Sequence, residues 1–227
     1  MRVVALFSGG KDSTFALHWA LTVGMDVVSL ITFKVSSSDS LLFHIPCIDL
    51  APLQAKAIGI PITYVPNVPQ GEEAKYMKKY LRYFKEEMNI DGVVLGVLLS
   101  DYQRLLVNEI CDELGLKVFS PLWRKAQDEY LLELIDLGFK FIITSISVMG
   151  LSPKFIGRVL SREDVLRILE LAKKYGFNPA FEGGEAETLV IDTPFFKYAI
   201  DILDFEIVRR GLYSWDMIIK KVKLRKK

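Results

Sequence analysis

Near the start of the chain, Ser8-Gly9-Gly10-Lys11-Asp12-Ser13 brings together two hydroxyls, a cation, a carboxylate and two residues without side chains. The stretch interrupts the apolar run Val3 to Phe7, and an amphipathic run follows it. A strand ending in such a turn, with a helix starting at Asp12 or Ser13, gathers unpaired backbone N–H groups and the positive end of a helix dipole at one point. That is anion chemistry. The glycines let the backbone approach a phosphate without Cβ obstruction, Ser8 and Ser13 can donate hydroxyls, and Lys11 adds charge. A Walker loop needs Ser or Thr after its Lys, where Asp12 stands, and the dinucleotide glycine fingerprint is absent. The plain alternative is a tight strand-to-helix turn capped by Ser or Asp.

Two more stretches are dense in chemistry. Ser100-Asp101-Tyr102-Gln103-Arg104 follows the apolar run Val93 to Leu99 and opens a helix, at the carboxyl end of a strand, where open α/β sheets bind ligands. Asp101 reads as the helix cap, Arg104 can clamp a phosphate or carboxylate bidentately, and Tyr102 and Gln103 can donate hydrogen bonds. Glu182-Gly183-Gly184-Glu185 with Glu187 and Thr188 places three carboxylates within six positions, a spacing that needs water, a base or a cation to offset it. A solvated acidic loop is the competing reading. His44, beside the polar stretch "VSSSDS", is either a site residue or a structural histidine.

The elements that must position these groups alternate. Val3 to Phe7 reads as a buried strand, Asp12 to Val23 as a helix closed by Gly24, and Val27 to Phe33 as a second strand. Helical periodicity in "IDLAPLQAKAIG", a short strand near Ile62 to Val65, a long helix over "GEEAKYMKKYLRYFKEEM" and the apolar run "GVVLGVLL" extend the pattern. The result is a parallel sheet with helices on both faces. After the helix in "DYQRLLVNEICDELGL", Pro121 marks a boundary, giving one domain over 1–122 and a smaller α+β domain over 123–227. The second half holds a helix from Asp128 to Leu137 and strands in "FKFIITSISV", "TLVIDTP" and "KYAIDILDFEIVRR". The basic tail "KKVKLRKK" reads as a solvated terminus.

With 227 residues, 51% of them hydrophobic, the chain can build two modest cores. A net charge of +1 leaves no global field for an extended nucleic acid or an anionic membrane. Cys47 and Cys111 fit no disulfide or zinc spacing and read as interior thiols of a cytoplasmic protein. No stretch is long and apolar enough to span a bilayer.

Ser-Gly-Gly-x-Asp-Ser directly after a first strand resembles the pyrophosphate loop of N-type ATP pyrophosphatases, proteins of the adenine nucleotide alpha hydrolase-like (HUP) fold. Together with "LGVLLSDYQRLLVNEICDELGLKVFSPLW" at 95–123 and "FEGGEAETLVIDTPFFK" at 181–197, the loop looks like that of the diphthine ammonia ligase family, a likeness covering nearly the whole chain. The resemblance implies ATP cleavage to AMP and pyrophosphate, adenylation of the diphthine carboxylate on elongation factor 2, and attack by ammonia from ammonium to give diphthamide. It implies ATP contacts at Ser8, Gly9, Gly10, Lys11, Asp12, Ser13, His44, Ser100, Asp101, Tyr102, Gln103, Arg104, Gly183 and Gly184. Catalytic roles would fall to Lys11, Asp12, Arg104, Glu182, Glu185 and Glu187, with Mg²⁺ carried mainly on the ATP phosphates and facing Asp12.

The chain departs from the family pattern at Ala186, where an aromatic is usual, and at Leu106 and Asn108, where Arg and Glu are usual. Another adenylating ligase and a non-catalytic ATP- or AMP-binding protein are the alternatives, and assembly into a homo-oligomer is open.

Overall fold

The computed structural model describes residues 1–35 and 47–227. They form two compact units, Met1–Ser8 with Asp12–Arg124, and Gly9–Lys11 with Lys125–Lys227.

The first unit is built from β1 (Arg2–Leu6), α1 (Lys11–Thr22), β2 (Asp26–Val35), α2 (Ala51–Ile58), β3 (Ile62–Val68), α3 (Glu73–Met88), β4 (Gly92–Val94), α4 (Asp101–Glu113) and β5 (Lys117–Phe119). Its five strands are all parallel, in the order β3-β2-β1-β4-β5. Val3, Val4 and Ala5 of β1 are fully buried, as a central strand covered on both faces requires. α3 shows how the covering helices are encoded: Met77, Leu81 and Phe84 fall on one stripe and are buried, while Lys79, Arg82, Lys85, Glu86 and Glu87 are exposed. Burying each such side chain stabilises the unit by about 1.5–3 kcal/mol.

Three features of this unit differ from the sequence reading. β4 stops at Val94 although the apolar run continues to Leu99, because the chain turns into close contact with α1 at Gly96. The edge strand β5 is three residues long, too short to carry a periodic signal. Cys111 is buried as expected, whereas Cys47 is only half-buried, at a left-handed turn (φ 72°).

The second unit contains α5 (Gln127–Asp136), β6 (Lys140–Ser147), α6 (Arg162–Tyr175), β7 (Ala186–Asp192), β8 (Tyr198–Arg209) and β9 (Ser214–Lys226). Its antiparallel sheet runs β7-β6-β9-β8. Tyr130, Leu131 and Leu134 of α5, Val165 and Ile168 of α6, and Phe141 and Ile143 of β6 make its core. The basic tail is not frayed. Residues 214–226 pair with β8 along its length, and Arg225 meets Asp201 at 2.9 Å while Lys220 meets Glu206 at 2.6 Å. Lys227 ends 2.8 Å from the buried Asp192 at the end of β7, so the tail's cations meet carboxylates on both β8 and β7.

Candidate active site

In the first unit the chain leaves β1 toward β2 and β3 on one side, and β4 and β5 lie on the other. The carboxyl ends of β1 and β4 therefore flank the point where strand order reverses, the place at which open parallel sheets take ligands. The glycine turn begins there. Phe7, the residue before it, donates its N–H to Ile31 O at 2.8 Å and accepts the Thr32 hydroxyl at 2.5 Å, which fixes the strand end. Ser8 N–H donates to Ser13 Oγ at 3.2 Å, and the two hydroxyls stand 3.0 Å apart, so the turn closes on its own serines. Gly9 sits at φ 82°, a conformation that other residues adopt only under strain. The helix starts at Lys11, one residue earlier than the sequence suggests.

The loop after β4 comes against this helix start. A Cβ on Gly96 would lie 2.5 Å from Asp12 O and 2.6 Å from Ser13 N, so the two backbones touch. Sequence reasoning passed over Gly96 as part of an apolar run. The signal was available, since a lone glycine inside such a run marks a close backbone approach.

Further along the same loop, Ser100 and not Asp101 is the cap of α4: its side chain accepts the Gln103 N–H at 3.3 Å. Asp101 and Tyr102 are exposed, and Gln103 and Arg104 are half-buried. Arg104 lies 3.8 Å from Asp101 and stacks at 4.3 Å over the ring of Trp123. Asn108, at the family's Glu position, donates its amide to Arg104 O at 2.7 Å.

The second unit holds the acidic stretch together with Gly9–Lys11. Gly9 O accepts the Val190 N–H at 3.0 Å, and Lys11 N–H donates to Thr188 Oγ1 at 3.1 Å. Lys11 is 3% exposed, with its ammonium 5.8 Å from the centre of the Phe181 ring. Glu185 accepts the N–H of Asn178 at 2.9 Å and that of Gly183 at 2.8 Å, one on each oxygen, and so holds the loop that carries Glu182, Gly183 and Gly184. Glu187 is half-buried in β7 opposite Ser145, and Glu182 is half-buried in the loop. His44 lies outside the described residues.

Burial pushes the Cys111 thiol up to about 12, which removes it as a nucleophile. Burial also lowers the pKa of His18 in α1, favouring its neutral form. Among the described residues no group of three or more His, Cys, Asp or Glu side chains is arranged to hold a metal. The donor chemistry of the turn instead suits a hard cation carried on phosphates with one carboxylate, the mode usual for Mg²⁺.

A glycine turn closing on its own hydroxyls, at a helix start on the carboxyl edge of a parallel sheet, is the layout of the α/β phosphate-binding proteins. Residues 1–118 match the family model described as the diphthamide synthase N-terminal domain, and residues 126–224 match the diphthamide synthase C-terminal domain. The chain belongs to the diphthamide synthase family. A diphthine–ammonia ligase from Danio rerio is 35% identical over 89% of this chain and 86% of its own length, and that from Homo sapiens is 31% identical over 92% and 85%. A solved structure from Methanocaldococcus jannaschii, described as a subunit of tRNA methyltransferase, is 17% identical and covers 85% of this chain and 99% of its own, with a TM-score of 0.42. No helix among the described residues is long and apolar enough to cross a membrane.

Proposed function

We propose that this chain is an ATP-dependent amide ligase that converts diphthine on elongation factor 2 to diphthamide in the cytoplasm, consuming ammonium and releasing AMP and pyrophosphate. The observation that carries the reading is family membership through both units, together with relatives that are diphthine–ammonia ligases. The glycine turn supports the ATP half of it.

In this reading Ser8, Gly9, Gly10, Lys11 and Ser13 receive the β- and γ-phosphates through backbone N–H groups, hydroxyls and one ammonium. Ser100 to Arg104 serve the nucleotide's other end, and Arg104 spreads charge at the α-phosphorus. Mg²⁺, when bound, offsets phosphate charge, and Asp12 is the side chain that would hold it. A carboxylate cannot expel oxide to ammonia, so activation comes first. A substrate carboxylate oxygen bonds to the α-phosphorus as the bond to pyrophosphate breaks, and ammonia then bonds to the acyl carbon as the bond to AMP breaks. Glu182 or Glu187 takes the proton that ammonium must lose, and Glu185 shapes the loop between them.

The test is isotopic. Diphthine labelled with ¹⁸O in its carboxylate passes one labelled oxygen to AMP during turnover. Label in inorganic phosphate, or formation of ADP, would mean an acyl phosphate and a different enzyme class.

A further inference from the structure

Two arginines lie against the ring of Trp123. The ring lies 4.3 Å from the guanidinium of Arg104 and 5.6 Å from that of Arg124. Arg104 comes from the first turn of α4, and Trp123 and Arg124 from the loop after β5, so the group sits where β4 and β5 give out at their carboxyl ends. Several features oppose this arrangement unless something else joins it. Two like charges share one indole at the positive end of a helix dipole, which disfavours both. Asp101, 3.8 Å from Arg104, has a side chain 65% exposed and offsets little of that charge. Arg124 has no carboxylate partner among the described residues. The Arg104 Nε is buried without a hydrogen-bond acceptor, and a buried donor is costly to leave unpaired. Arg124 also holds a left-handed backbone (φ 58°), fixed by its N–H donating to Leu98 O at 2.9 Å.

We propose that Arg104 and Arg124, both held against the Trp123 ring, form an oxyanion site whose ligand is a phosphate or a carboxylate. Guanidinium groups match both anions with paired N–H bonds, and contact with an aromatic ring restricts a guanidinium without using up its N–H donors. Arg124 is a binding residue and Trp123 a positioning residue. The strands that carry the site, β4 and β5, lie one and two strands from β1 and its glycine turn, about 5 and 10 Å along the sheet edge at the usual strand spacing. Phosphates held on the turn therefore leave the site free for a different anionic group. On the functional reading above, that group is the nucleotide's α-phosphate or the diphthine carboxylate.

Two probes separate these sources without requiring turnover. The full chain is titrated with AMP and with acetate, following tryptophan emission, and Trp123→Phe identifies the part of the signal that comes from the site. Arg124→Asn removes the guanidinium while keeping a residue that tolerates left-handed backbone, and Arg124→Gly is the second variant if the first does not fold. Weakening of AMP by about tenfold with acetate unchanged assigns the site to the phosphate. The reverse assigns it to the carboxylate, and weakening of both makes it a general oxyanion site. If both affinities stay within about twofold of the unsubstituted protein, the site does not exist. Amide formation is assayed separately, so that its absence would remove the diphthine reading while the two titrations still decide the clamp.

Discussion

Gly96 packs so closely on the peptide after Asp12 that a methyl group there would stand 2.5 Å from the Asp12 carbonyl oxygen. The loop after β4 thus rests on the first turn of the helix that the glycine turn starts. Adding a Cβ must push one backbone off the other, because neither contact is the far end of a flexible side chain. Gly92 supplies the control: a Cβ there would lie 2.6 Å from Lys117 O, equally crowded but within the strands. Both alanine variants are expected to lose about 1–3 kcal/mol of stability. Only Gly96→Ala should also weaken ATP, by about tenfold or more, measured by calorimetric titration of variants confirmed folded. Equal ATP affinity in the two would remove Gly96 from the site.

Gly9 carries the second expectation. A β-branched residue at φ 82° is a conformational outlier, so Gly9→Val forces the turn to change shape. ATP affinity should fall about tenfold or more while the melting temperature moves by a few degrees, since the cores lie elsewhere. Unchanged ATP binding in a folded Gly9→Val protein would show that the turn holds no phosphate.

What the sequence made legible follows from how each element is held. β1, β2 and α3 carry strong periodic or all-apolar patterns, and their burial follows those patterns. The turn at Ser8 to Ser13 was visible because hydroxyls and glycines at a strand end have few other uses. β9 was hidden because the strand it pairs with, β8, and the carboxylates Asp201 and Glu206 that meet its cations come to it only after the chain has folded. Trp123 was hidden for the same reason: Arg104 reaches it across 19 positions. α6 was different. Its start, Ser161-Arg162-Glu163-Asp164, is a capping box written plainly in the chain.

That capping box yields a pH expectation. Burial alone would raise the Asp164 pKa, but hydrogen bonds from Arg158 and from the Ser161 N–H and hydroxyl outweigh it and hold the carboxyl below its usual value. A group whose folded pKa is depressed stabilises the fold fully above the ordinary carboxylate range and loses that contribution as pH falls through the lowered value. Asp164→Asn should therefore cost about 1–2 kcal/mol at neutral pH. The gap between the variant and the unsubstituted protein should close as the pH is lowered into the acid range. Denaturant melts across pH 2 to 7 measure it, and a gap independent of pH would mean that Asp164 acts by shape alone.

The carboxylates of the acidic stretch should separate in the same way that their contacts do. Each Glu185 oxygen accepts a backbone N–H, from Asn178 and from Gly183, so replacing one oxygen by an amide nitrogen sets donor against donor. Glu185→Gln is expected to destabilise the second unit by about 1–3 kcal/mol and lower its melting temperature by several degrees. Amide formation should fall with it, because the loop bearing Glu182 loses its anchor. Glu187 lies in β7 with its backbone held by the ladder to β6, so Glu187→Gln is expected to melt closer to the unsubstituted protein than Glu185→Gln does. It should bind ATP normally and lose amide formation, the behaviour of a group that handles a proton instead of holding a loop. Thermal melts, ATP titrations and amide formation on the same two variants decide the matter. A Glu185→Gln protein with an unshifted melt and no amide formation would transfer the chemical role to Glu185.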